Sequence, residues 1–567
     1  MISGIEKFSN FLKLKSHWDI LGILGFGLTV LLSLAPFQIF PLGFIPFTIL
    51  IVLARKYSTE SILQNLLLYI YLSLSVSIFA FHWIFVGIKN LAQTGITGAL
   101  FLFLLYSILS NLKILIVILS YRWIRKFIPD WEMVAASGIA LGSEIFVFQF
   151  FPWYYGNLIT SFDFLNRAVA DFGVYGLSFY NFLISFLIIF IIEWYQTKNR
   201  TSLLKSIPII ILLLLFHISL FREMKLEGSD VPIKIAMIQP NTEIGLKEKK
   251  NDPMFTSRAL TKSAKLALDA IRNSNGNLDL MIFPETAIPY YGTKKDPKNP
   301  NEVHYLKEFH GLITYLAKKG NLDLIYNEVY KIDDKIFNAV SIFQSDGKMG
   351  NSYTKKRLVP FGEYIPELFS FLRVVFPEVS EYSGGGNPLP LGFTFEKPVS
   401  HLYLSPVTES ELRMIEDPDF LSNYWPHEKG KKDGIVLGAL CYEAMFPELI
   451  RENSLHVLPD LIVNPVNDSW FGNTIENHQH YNASKLRAIE MGRPLIRVAL
   501  SGISGAVDAL GNELILPIHI GEEDFRIFEL KLQKRDTLYF KYGNWTLFVL
   551  YLFFLSLDRV LNKILRK

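Results

Sequence analysis

GIVLGALCYEAMFPE, residues 434–448, begins with an apolar β run that ends on Cys441, the only cysteine in a chain of 567 residues. A buried lone cysteine serves in most proteins as a small hydrophobe, so the stretch alone leaves packing and chemistry both open. Its surroundings narrow the choice of fold. IKIAMIQPN (233–241), LDLMIFPE (278–285), LDLIYNEVY (322–330), IFNAVSIFQ (336–344) and LIVNPVND (461–468) are further short β runs. Between them SRALTKSAKLALDAIRN (257–273), a stretch near 303–319 and HQHYNASKLRAIEMG (478–492) carry helical apolar spacing, and VALSGISGAVDALGN (498–512) reads as a hairpin. Strands that alternate with helices and then pair predict an α/β sandwich with helices outside mixed sheets.

The rest of the chain is of another kind. Half of all residues are hydrophobic and only 19% are charged, against about a quarter in soluble domains. The deficit is concentrated in residues 16–221, rich in Leu, Ile and Phe, and in 545–558. A spanning helix needs about 20 mainly apolar residues. Eight segments qualify as spans: 18–35, 38–54, 64–86, 97–119, 133–152, 174–194, 206–221 and 545–561, the first two joined by a turn at Ala35-Pro36. No small-residue cleavage site follows the first, so it is expected to stay as an anchor. The expected layout is residues 1–222 with spans one to seven, an aqueous domain at 223–543, and an eighth span with its tail at 544–567.

Short loops on one side carry Arg55, Lys56, Arg122, Arg125, Lys126, Lys198, Arg200 and Lys205, along with the lysines and arginines of both tails; on the other side stand Lys89 and Arg167. By the positive-inside rule both termini are cytoplasmic and the aqueous domain lies outside the cytoplasm. Glu144, His82 and His217 are polar at membrane depth, each a functional candidate or an ordinary interhelical partner. FFPWYYGN (150–157) reads as an interfacial aromatic belt or a lipid entrance. A net charge of +3 without a basic tract gives no reason to expect nucleic acid, and one cysteine excludes an intramolecular disulfide framework and any CxxC-type metal site.

Three reactive residues occupy comparable places. Glu285 and Cys441 each end an apolar strand, and Lys355 follows a strand pair in NSYTKKRLVPFGEYIP (351–366). A thiol needs a base, which a carboxylate in an apolar pocket can supply. A tetrahedral oxyanion needs a cation or N–H donor. Glu, Lys and Cys are thus a complete acyl-transfer set. Singly, each has a plainer reading: a turn-capping carboxylate, a solvated loop lysine, a core cysteine. ELFSFLRVVFP (367–377) is apolar beside this loop, as an interfacial arm or lid would be, or a core helix.

Together, FPETAIPYY, YTKKRLVPFGEYIP and ALCYEAMFPEL resemble, in order, the Glu, Lys and Cys boxes of the carbon–nitrogen hydrolase (nitrilase) superfamily. Seven spans, an external domain and an eighth span, with LVPFGEYIP, NDSWFG before HQH, and RAIEMGRPLIR, resemble its membrane-integrated branch, the apolipoprotein N-acyltransferase family. The resemblance implies a nitrilase-like α-β-β-α sandwich on the periplasmic face of a bacterial inner membrane. It implies Glu285 as general base, Lys355 rather than Lys356 as oxyanion partner and Cys441 as nucleophile, supported by Glu363, Tyr442 and Glu443. A phospholipid would donate an acyl chain to Cys441, and the α-amine of a diacylglyceryl-cysteine lipoprotein would accept it, with no cofactor, metal or ATP. His478 and His480 would then be structural.

The chain departs from that family at Glu248, where a Trp is expected, in the long segment 400–433, and in ALSGIS, which lacks an Asn before its glycine. A membrane-tethered amidase acting on a small amide is the alternative enzyme. A transporter or receptor with a degenerate nitrilase domain is the alternative without catalysis, disfavoured by the intact residues and the scarcity of intramembrane charge.

Overall fold

The computed structural model of the chain describes residues 14–92, 95–221, 225–242, 252–294, 304–374, 379, 381–397, 399–400 and 432–565. Glu248 and nearly all of the segment 400–433 lie outside them. The chain forms two compact units: Met1–Phe85, Gly95–Met224 and Thr537–Lys567 make one, Val86–Thr94 and Lys225–Asp536 the other.

The first unit is helical, and each apolar segment holds a helix: His17–Ser33, Ile45–Tyr57, Ile62–Ala80, Ile96–Ser110 with Leu112–Phe127, Glu132–Phe146, Val169–Thr197, Ile207–Leu220 and Trp545–Leu565. Among the described residues, four stretches are individually long and apolar enough to cross a membrane, Phe40–Tyr57, Ile62–Ala80, Val169–Thr197 and Arg200–Ile218. A fifth follows if Ile96–Ser110 and Leu112–Phe127, bent by 46°, count as one. The bend falls at Asn111, whose Oδ1 accepts from the Trp153 indole at 3.1 Å and whose Nδ2 donates to the Ser107 carbonyl at 3.1 Å. A side-chain amide bonded to a carbonyl one turn back competes with the helix ladder and bends it.

The aromatic-belt reading of 150–157 fails for three of its five aromatic residues, while Phe150 and Phe151 are half-buried. Trp153, Tyr154 and Tyr155 are buried within their unit. Lys113 is the reason: its Nζ stands 3.5 Å from the Trp153 ring centroid, donates to the Trp153 carbonyl and pairs with Glu144 at 3.6 Å. Glu144 Oε1 in turn accepts the Tyr155 N–H at 2.7 Å. A desolvated cation prefers an aromatic face and a carboxylate to lipid, so the segment folds inward over it. Glu144 is therefore half of an ion pair, not a lone carboxylate. His82 and His217 each contact a carbonyl of the preceding turn, Phe79 at 3.2 Å and Leu213 at 2.6 Å.

The second unit is a two-sheet sandwich. Strands β1 (Glu227–Gln239), β2 (Leu280–Ile282), β3 (Asp323–Ile332), β4 (Lys335–Phe343), β5 (Met349–Thr354) and β11 (Asp524–Lys534) form a six-stranded sheet in the order β11-β1-β2-β3-β4-β5. Strands β6 (Leu391–Phe395), β7 (Lys432–Gly438), β8 (Leu461–Val466), β9 (Leu495–Ala499) and β10 (Gly505–Val507) form a five-stranded sheet in the order β10-β9-β8-β7-β6. β9 and β10 pair antiparallel, as the hairpin reading expects.

Alternation along each strand builds the layers. Ile233, Ile235 and Met237 of β1 join Leu280, Ile325, Val340, Val436, Leu461 and Ile496 in the core between the sheets. Ala236 and Ile238 face the opposite way, with Ala267 and Ile271 of helix α1 (Pro253–Asn273) and Ile313 and Leu316 of helix α2 (Lys307–Gly320). Helices α3 (Pro447–Val457) and α4 (Glu476–Met491) flank the five-stranded sheet. Covered on both faces, these strands read as continuous apolar runs. The parallel strands β2, β7 and β8 point their C-terminal ends the same way within their sheets, and chemistry gathers at such ends.

Candidate active site

Glu285 follows β2, Lys355 follows β5 and Cys441 follows β7. All three are buried. Lys355 Nζ lies 3.3 Å from Glu285 Oε1 and 2.8 Å from Glu363 Oε1. Lys356 points elsewhere, to Asn453 Oδ1 at 3.0 Å. Burial pulls the Lys355 ammonium down, but Glu285 and Glu363 hold it well above the usual lysine range, so it is a fixed cation. Burial pushes the Cys441 thiol up, Glu285 and Asp468 add to this, and Lys355 and the Asn467 backbone N–H pull the other way. The outcome is a resting thiol, well above its ordinary range. It becomes a nucleophile only when a neighbour takes its proton.

The turn holding Cys441 is strained. Its φ is 48°, and Thr286 beside Glu285 has φ 56°. Left-handed backbone at a side chain larger than glycine costs about 1–2 kcal/mol and persists only where surrounding bonds fix it. Here the Cys441 carbonyl accepts from Asn464 Nδ2 at 3.1 Å and meets His480 Nε2 at 3.2 Å.

Glu443 ties two loops together. Its Oε1 accepts the Lys356 N–H at 2.8 Å and the Arg357 N–H at 3.0 Å, and its Oε2 accepts the Leu440 N–H at 2.8 Å. The Tyr353 hydroxyl bonds both oxygens at 2.9 Å. The loop after Lys355 is thereby pinned to the turn before Cys441. Glu443→Gln turns one acceptor into a donor facing N–H groups, which costs about 2–4 kcal/mol at roughly 1–3 kcal/mol per unsatisfied buried group. A melting temperature equal to that of the unaltered protein would refute this strap. Tyr442 is buried, edge-on to Phe446 at 4.8 Å between ring centroids.

Two groups escape the sequence reading. Asn338 of β4 donates to Glu285 Oε1 at 2.9 Å and Glu363 Oε1 at 3.0 Å. Its only signal is an amide inside an apolar strand. Behind Cys441 lies a second cluster, in which His480 Nδ1 is 3.1 Å from Asp468 and 3.3 Å from Glu476, and Arg497 bonds Asp468 and Asn464. Ligand atoms of Cys441, Asp468 and His480 lie within 4.8 Å of one another. The imidazole nitrogens face oxygen atoms, the Cys441 carbonyl at Nε2 and the Asp468 and Glu476 carboxyl groups at Nδ1. His478 is half-buried, and burial with His519 nearby pulls its imidazole down.

A carbon-nitrogen hydrolase family model matches residues 234–516, and an apolipoprotein N-acyltransferase N-terminal domain model matches residues 26–187. The second unit is a nitrilase-like carbon–nitrogen hydrolase domain, joined in one chain to a set of apolar helices. Apolipoprotein N-acyltransferase 1 of Leptospira interrogans is 33% identical over 559 residues, 96% of each chain. Apolipoprotein N-acyltransferase 2 of the same species is 26% identical over 471 residues, 76% of this chain and 77% of that one. The apolipoprotein N-acyltransferase of Haemophilus influenzae is 26% identical over 554 residues, 95% of this chain and 94% of its own. The chain belongs to the apolipoprotein N-acyltransferase family.

Proposed function

We propose that this chain moves a fatty acyl group from a phospholipid to the α-amine of a lipoprotein's diacylglyceryl-cysteine, through a thioester on Cys441. The observation that carries the reading is the buried Lys355 cation between Glu285 and Glu363, with a neutral Cys441 thiol in the same electrostatic group. Glu285 accepts the thiol proton as sulfur attacks the ester carbonyl. Lys355 stabilises the oxyanion. When the C–O bond breaks, protonated Glu285 returns the proton to the leaving lysophospholipid. The acceptor amine then attacks the thioester and loses its proton to Glu285, and collapse expels Cys441, which is reprotonated. Glu363 and Asn338 orient Lys355 and Glu285, and Tyr442 and Glu443 hold the nucleophile turn. No external energy source is required, because the thioester keeps the acyl group activated.

The loop lysines and arginines support eight spans with both termini cytoplasmic and residues 223–543 on the periplasmic face of an inner membrane. A short 3-10 helix, Glu367–Val374, leaves Phe371 71% and Val374 90% exposed, which suits an arm that enters a lipid interface.

The test uses the full chain in membranes with phospholipid labelled in its acyl group. A hydroxylamine-sensitive label forms on the protein and passes to a diacylglyceryl peptide bearing a free amine. Label that is released only to water, or release of ammonia from a small amide in its place, supports the amidase alternative. A protein that never takes up label loses the thioester mechanism.

A further inference from the structure

We propose that His480 is a positioning residue for the nucleophile: an imidazolium whose Nε2–H donates to the Cys441 carbonyl and whose Nδ1–H faces Asp468 and Glu476. This rests on Cys441 being the acyl carrier. The geometry decides the protonation state. Nε2 stands 3.2 Å from a carbonyl oxygen, which only accepts. Nδ1 stands 3.1 Å and 3.3 Å from carboxylate oxygens of Asp468 and Glu476. The Asp468 carboxylate and the Cys441 carbonyl both only accept, so a neutral ring, with its one proton, sets a lone pair against one of the two, and the doubly protonated ring satisfies both.

The charged and titratable groups facing His480 come from several elements: Asp468 from the loop after β8, Glu476 from its own helix α4, Arg497 from β9 and the Cys441 thiol. Burial and Arg497 lower the imidazole, while Asp468 and Glu476 raise it more, so its net direction is upward from 6.5. Burial would raise Asp468, but Arg497 and His480 hold it at about 2. Glu476 is pushed up to about 7 by burial and by Asp468. Asp468 thus supplies the standing negative charge. The packing leaves it no slack, because a Cβ on Gly502 would lie 2.5 Å from Asp468 Oδ2 and 2.9 Å from Asn477 Oδ1.

The device has a clear purpose in acyl transfer. Cys441 occupies left-handed backbone at φ 48°, and its carbonyl has two side-chain donors, Asn464 and His480. Loss of one lets the turn relax and swings the sulfur away from the attack line, and a shift of about 1 Å in a reacting atom costs up to about 100-fold.

Single-turnover thioester formation tests this in the full-length protein. His480→Ala slows acylation about 10- to 100-fold and leaves half-saturation by phospholipid within about twofold, as expected of a loss confined to orientation. His480→Gln, whose amide reaches the same carbonyl, recovers most of the rate. Its rate relative to wild type rises with pH, because the amide donor does not titrate and the imidazolium does.

Wild-type acylation by His480→Ala overturns the proposal, as does His480→Gln no faster than His480→Ala. If His480→Ala does not fold, a pH-independent ratio of His480→Gln to wild type overturns it. Alkylation of Cys441 by iodoacetamide, read in parallel, reports the same positioning without acyl transfer. A wild type with no thioester therefore refutes the acyl-carrier reading separately from the role of His480.

Discussion

Cys441→Ala protein in membranes takes up no acyl label from phospholipid, and N-acylation falls by on the order of 10⁵–10⁶, the range for removing the nucleophile of an acyl-transfer site. In free energy that is about 7–8 kcal/mol of barrier. The size follows from the site. Burial and the nearby Glu285 and Asp468 keep the thiol protonated, and no second cysteine exists in the chain to substitute. Cys441→Ser fails almost as completely, because an alcohol is a poorer nucleophile than a thiolate and needs its proton removed in a site where charge is already costly. Stability behaves differently. Alanine and serine meet the same left-handed backbone that cysteine does, so strain at φ 48° is unchanged. The expected melting temperature stays within about 4 °C, the shift for roughly 1 kcal/mol in a large chain. Measurable transfer by purified Cys441→Ala protein would end the thioester account.

Glu285 and Cys441 are legible in the sequence because each stands where an apolar run stops, and Lys355 because it follows a strand pair at the head of KKRLVPFGEYIP. β2, β5 and β7 end shortly before Glu285, Lys355 and Cys441, and a carboxylate or a lone thiol after an apolar run is conspicuous. Asn338 and His480 are not, because their meaning comes from residues far away in the chain. Asn338 bonds Glu285 and Glu363 from a strand that reads as core, and His480 reaches back 39 positions to the Cys441 carbonyl. Lys113 was hidden in the same way: inside an apolar run it looks like a tolerated exception, yet with Glu144 it turns an expected aromatic belt inward. Each apolar segment found by hydropathy holds a helix among the described residues, but hydropathy does not show the breaks. Asn111, at the bend, bonds the Ser107 carbonyl and also the Trp153 indole 42 positions on, and local composition carries no trace of the second pairing.

Glu285→Gln lowers the first-order rate of Cys441 acylation by about 10³, within the 10²–10⁴ that a positioned base contributes. The glutamine fits the same space, and Lys355 keeps Glu363 at 2.8 Å, so the cation and the fold survive while the proton acceptor is lost. Lys355→Met is the more damaging change. It removes the oxyanion partner, worth about 10²–10³, and leaves Glu285 and Glu363 bonded to one Asn338 amide with no cation between them. Two like charges at one buried site cannot both stay ionised, so one carboxyl keeps its proton and the base is compromised too. The combined loss is larger than 10³, about 10⁴ or more, and adding Glu285→Gln to Lys355→Met costs little further, since residues acting as one unit are not additive. The same repulsion fixes a pH signature. In Lys355→Met the shared proton is held above the ordinary carboxylate range of about 4.3, so the folded state binds more protons than the unfolded chain and stability falls as pH rises. Wild type lacks this loss, because its Lys355 cation stays charged through neutral pH. Thermal melts of both proteins between about pH 5 and pH 8 check it: a Lys355→Met curve that runs parallel to wild type, or an acylation rate within tenfold of wild type, would mean that Lys355 does not hold the two carboxylates in service of the thiol.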